Sequence, residues 1–87
     1  MTNQQIDSFL QRNQFGDNPV KISFKTRAGF TGIFVKGGDY EELKSKNFWR
    51  IVNEGNVKNY MNSKDVSLSR IFHGAEITKL AATELIG

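Results

Sequence analysis

Apolar and polar positions follow two different periods along this 87-residue chain, and the change between them marks the first structural boundary. Ile6, Phe9 and Leu10 recur at i, i+3 and i+4 while Asp7, Gln11 and Arg12 fall on the opposite side, which predicts an amphipathic helix over residues 3–13. Thr2 or Asn3 is placed to cap its start, and Gly16, Asn18 and Pro19 stop it, because proline disfavours helical backbone in the residue before it. From Val20 the period becomes two. Val20, Ile22 and Phe24 alternate with Lys21, Ser23 and Lys25, the pattern of a strand with one buried and one wet face. After Arg27-Ala28-Gly29 the apolar run Phe30 to Val35 predicts a second strand, so the pair reads as a hairpin with Gly29 at its turn. Gly32 inside that strand marks an expected bend or bulge.

Gly37-Gly38-Asp39 breaks the pattern, and the polar stretch through Lys46 reads either as a loop or as one helical turn around Tyr40 and Leu43. Phe48 to Val52 is aromatic and β-branched and predicts a third strand. Residues 53–65 are the most polar interval and are expected to form a long loop or an extended hairpin tip. Val66, Leu68 and Ile71-Phe72 predict a fourth strand, and Glu76 to Leu80 a fifth after a break at His73-Gly74-Ala75. A helix followed by about five short strands favours a mostly β small barrel.

Composition narrows the chemistry. The length suits one domain, and the hydrophobic fraction of 38%, with seven Phe, supplies a modest core. There is no Cys and one His, so thiolate catalysis, disulfides and multi-His metal sites are not expected, nor is any cofactor. Glu41-Glu42 is an adjacent pair that a strand would point apart, and Gly37-Gly38 lacks the Lys-Ser/Thr of a phosphate loop. These absences point to a binding protein rather than an enzyme. No apolar run is longer than Ile33-Phe34-Val35 and the first residues lack the regions of a signal peptide, so a cytoplasmic protein without a membrane partner is expected. The formal net charge of +3 is compatible with an anionic partner.

Phe9-Leu10 in the helix, Pro19-Val20-Lys21-Ile22-Ser23-Phe24, Gly29, Gly32 with Phe34, Asp39, and the late segment Ile71-Phe72-His73-Gly74-Ala75-Glu76-Ile77 stand in an order that resembles the Sm-like family, most closely its bacterial Hfq branch. The chain departs from that pattern in the longer polar stretch after Asp39, in the longer interval between the third and fourth strands, and in Gln14-Phe15-Gly16-Asp17, which replaces an Arg-rich helix end. The resemblance implies a single domain over 1–87: a helix at about 3–13, a five-stranded, strongly bent barrel at about 20–80 and a short tail at 81–87. It also implies a ring-shaped homo-oligomer that binds single-stranded RNA through a ring face. A small barrel that joins a protein partner or a structural assembly, with Trp49 and Tyr60 as aromatic contacts, is the alternative.

Six residues are candidates for RNA contact. Lys21, Lys25 and Arg27 fall on one side of the first strand with no acidic residue between Lys21 and Lys36, a positive face suited to phosphates. A solvated strand face is the competing assignment. Tyr40 beside Asp39 matches the family's base-stacking position, against simple packing on Leu43. Asn47 corresponds to a base-reading Asn of the family, or else ends the loop. His73 aligns with a pore-side residue that contacts a base, or else is a satisfied turn residue.

Overall fold

The computed structural model describes residues 1–13 and 19–83. The chain opens with helix α1 (Asn3–Asn13), continues through strands β1 (Val20–Phe24) and β2 (Phe30–Phe34), and forms a short helix α2 (Tyr40–Ser45). Strand β3 (Phe48–Asn53) leads directly into helix α3 (Glu54–Ser63), and strands β4 (Arg70–His73) and β5 (Ile77–Ala82) follow. Helix α1 has the bounds its periodicity predicts, and a capping box starts it. The Gln5 amide donates to Thr2 Oγ1 at 3.2 Å, and Gln5 Oε1 accepts from the Thr2 amide at 2.9 Å. The expected stop at Gly16 and Asn18, the segment Gln14 to Asp17 and the tail from residue 84 lie outside the described residues.

The five strands form one antiparallel sheet in the order β4-β3-β2-β1-β5. Three strand spacings separate β1 from β4, about 14 Å in a flat sheet. Yet the Phe24 and Phe72 rings on those strands lie 5.4 Å apart. The sheet is therefore curled, with its concave side holding the main core. It is not closed into the expected barrel. Among the described residues β4 and β5 remain its two edges, because β5 directs its whole ladder to β1 and no ladder joins it to β4.

Ile6 and Leu10 of α1 pack into the concave side against Val20, Ile22, Phe34, Trp49, Ile51, Ile77 and Leu80. Alternate residues of β2 and β3, Ile33 and Val52, face the other way and would be wet in a one-sided sheet. They are buried by Val57 of α3, with Tyr60 and Met61 half-buried beside them. The interval 53–65 is thus mainly a helix rather than the expected loop. Val57, Tyr60 and Met61 stand at helical spacing, and Asn53 Oδ1 accepts from the Gly55 amide at 2.9 Å to cap the first turn. Val66–Leu68, expected in the fourth strand, is a 3-10 turn capped by Asp65, whose carboxylate accepts from the Ser67 amide at 3.0 Å. The expected irregularity at Gly32 also moves. Gly32 stays in register with Val20 and Asn53, while the ladder shifts between Ser23 and Phe24. Glycine is required at 32 because a Cβ there would meet the Val52 carbonyl oxygen. Among the described residues no helix is long and apolar enough to cross a membrane.

Candidate nucleic-acid interface

The loop between β2 and β3 was expected to present Tyr40 and Asn47 to a ligand, and the structure uses both internally. Tyr40 opens α2 with its ring 7% exposed, edge-on to Trp49 at 6.0 Å. Its hydroxyl donates to Asp7 Oδ1 at 2.9 Å, and Lys44 Nζ stands 3.2 Å from Asp7 Oδ2, so α1 and α2 are tied together. Burial, then the bond to Asp7, push the phenol above its ordinary range. Burial pushes the Asp7 carboxyl up, but the hydrogen bonds from Tyr40 and Lys44 outweigh it and hold that carboxyl below its usual value. A ring held this way offers no face to a base, so Tyr40 is a core residue that packs on Trp49.

Asn47 sits at φ 61°, a left-handed backbone that Asn tolerates better than most residues. Its Oδ1 accepts from Trp49 Nε1 at 2.8 Å, its Nδ2 donates to the Met1 carbonyl at 3.0 Å, and its own carbonyl accepts from the Gly74 amide at 2.7 Å. Gly74 has no Cβ because one would collide with the Asn47 amide. Asn47 therefore locks the chain start, β3 and the turn after β4, with both ends of its amide in use. His73 is exposed, as a ligand contact requires, but its Nδ1 accepts from the Ala75 amide at 3.1 Å and caps the Gly74–Glu76 turn. The Phe48 ring stands edge-on to it at 4.9 Å.

The positive strand face divides. Lys21 and Lys25 are exposed on and just beyond β1. Arg27 leaves that face, because its guanidinium lies 5.5 Å from the Phe24 ring and 5.3 Å from the Phe72 ring, both of which pack on the concave core. It thereby joins a groove of about 240 Å³ at the mouth of the curled sheet. Arg70 lines the same groove, and so do the Phe30 and Phe72 rings, 5.6 Å apart. Asn53 and Asn56, at the junction of β3 with α3, add two amides, and Ile51 and Leu68 complete an apolar wall.

Register explains the grouping. Arg70 pairs with Ile51 and Phe72 with Trp49, so the period of two carries Arg70 and Phe72 to the core side of β4. Ile71, opposite Arg50, turns the other way and is 48% exposed. Neither Arg27 nor Arg70 has an acidic partner among the described residues, whereas Arg50 grips Asp39 through Nε at 3.2 Å and Nη2 at 2.7 Å. The hydrogen bond from Arg50 holds the Asp39 carboxyl below its usual range, and Asp39 raises Arg50 in return.

Sequence reasoning missed Arg70, Asn53, Asn56 and the two rings as a group. One signal was present: Arg70 and Phe72 alternate in Ser69-Arg70-Ile71-Phe72, a cation and a ring on one face with no acidic neighbour. No cluster of three His, Asp or Glu suited to a metal ion occurs among the described residues. No protein-family model, curated protein or solved structure matches this chain.

Proposed function

We propose that this chain is a non-enzymatic Sm-like module that binds single-stranded RNA and assembles as a ring-shaped homo-oligomer. The reading is carried by the grouping of Arg27 and Arg70 with aromatic rings in one groove. On the α2 side Asp7, Asp39 and Glu42 take up Lys44, Arg50 and Lys46 as ion pairs. Around β1 and the groove, Lys21, Lys25, Arg27 and Arg70 have no acidic partner among the described residues. Unpaired cations beside aromatic rings are the elements of single-strand binding, in which phosphate contacts supply affinity and ring faces hold bases. Self-association is supported by the sheet order, which leaves β4 and β5 as edges among the described residues, and by Val66 and Ile71, exposed by 43% and 48%. Pairing β4 of one copy with β5 of the next would remove both edges and cover Ile71.

The test joins light scattering with a salt-titrated binding assay on U-rich and A-rich RNA. The expected mass is a multiple of 9.9 kDa. Replacing Lys21 and Lys25 together by Ala is expected to flatten the log-log salt dependence by about one unit for each phosphate that is no longer neutralised. A monomer at micromolar concentration overturns the ring, and absence of RNA binding at low salt overturns the RNA reading in favour of a protein partner.

A further inference from the structure

We infer that the groove between Arg27 and Arg70 is a site for one unstacked ribonucleotide, its phosphate held by the two guanidinium groups and its base by the apolar wall and the amides. The inference rests on the RNA reading for the class of ligand and goes beyond it in assigning this groove and the role of each residue.

Two arginines that line one small concavity repel each other, and the arrangement is favourable when an anion lies between them. Contact with the Phe24 and Phe72 rings steadies the Arg27 guanidinium, and a cation–π contact leaves its N–H donors free for an oxyanion. Charge alone would suit any small anion. The remaining walls select further. Phe30, Phe72 and Leu68 give apolar surface that inorganic phosphate cannot use and a planar base can. At about 240 Å³ the groove is too small for a folded segment.

The amides give the site an edge to read. Asn53 Oδ1 accepts from the Gly55 amide to cap α3, and its Nδ2 makes no hydrogen bond among the described residues. Asn56 is exposed, with both its donor and its acceptor unengaged among the described residues. The pair offers amide N–H donors and a carbonyl acceptor to a base edge. Asn56 reaches the groove only because residues 54–63 form a helix that starts at its rim, which gives the insertion a binding role besides covering Ile33 and Val52.

The experiment titrates the full-length chain, followed by backbone amide NMR, with each of the four ribonucleoside 5′-monophosphates. Inorganic phosphate, adenosine and a short U-rich or A-rich oligonucleotide are parallel arms. At least one monophosphate is expected to shift the amides around Arg27, Asn53, Asn56 and Arg70, and to bind more tightly than phosphate or adenosine. Arg70→Ala, with an otherwise unchanged spectrum, is expected to weaken that monophosphate about tenfold or more, the loss of a charge-assisted hydrogen bond. Asn56→Ala is expected to change the ranking of the four bases while leaving phosphate binding alone. Equal binding of phosphate and monophosphates, or silence of these amides at millimolar nucleotide, overturns the inference. If the oligonucleotide binds while the groove stays silent, the RNA reading survives and this site does not. If a monophosphate binds here and the oligonucleotide is no tighter, the site survives and the RNA reading does not.

Discussion

Arg50 and Arg70 stand on neighbouring strands, one residue apart in register, and the fold treats them in opposite ways. Around Arg50 the polar groups pair with one another: Asp39 takes its guanidinium, Tyr40 and Lys44 take Asp7, and Asn47 uses both ends of its amide. Around Arg70 two guanidinium groups and the Asn56 amide face a concavity with no acidic answer among the described residues. Satisfied polar networks fix a fold, whereas exposed guanidinium groups that share one concavity keep their donors available to an anion. Residues with the most recognisable functional character are therefore not the ones left free to act.

The sharpest way to break this contrast is Tyr40→Ala. It empties a buried ring site and removes one donor from Asp7, so chemical denaturation is expected to show a loss of about 3–5 kcal/mol. Tyr40→Phe keeps the ring, is expected to cost about 1 kcal/mol, and should leave RNA affinity unchanged. A selective loss of RNA binding in Tyr40→Phe would return Tyr40 to the interface. Asn47→Ala comes next, at about 2 kcal/mol, since it leaves the Trp49 N–H without its acceptor and puts Ala at positive φ.

Acid titration probes the paired side without mutation. The Asp7 and Asp39 carboxyls are held below their ordinary value of 3.8 in the fold, so they stay charged where the unfolded chain binds protons. The stability they add is complete above that value and declines as pH falls below it. The denaturation midpoint is expected to drop as pH falls from about 4 toward 2, and Asp39→Asn should flatten part of that drop. The smallest effect on stability is expected from Arg27→Ala with Arg70→Ala, about 1 kcal/mol or less, because both side chains are exposed and only Arg27 makes ring contacts. The same double variant should lose most nucleotide binding. A large loss of stability would show that the guanidinium groups hold the fold together and are not a ligand site.

Phe24 illustrates how far the sequence carries. Its period-two spacing with Val20 and Ile22 puts it on the core side, where it is found, but it is half-buried under the Arg27 guanidinium rather than enclosed. Helix α1, the first hairpin, and strands β3 and β5 were legible because each repeats a local period that its own burial enforces. Helix α3 was hidden by its polar residues, although Val57, Tyr60 and Met61 carried its spacing. Tyr40, Asn47 and Arg27 were misplaced for another reason. Their neighbours in space, Asp7, Met1 and Phe72, lie 33, 46 and 45 residues away along the chain.

By itself, then, the sequence determined which residues turn inward along each element, since side-chain period and backbone geometry are local properties. The tertiary structure alone decided which polar groups are answered and which are left bare. The curl of the sheet and the register of β4 bring Arg27, Arg70 and Phe72 together while carrying Arg50 to Asp39. Pairing of charge depends on distance through space, and no local pattern encodes that distance.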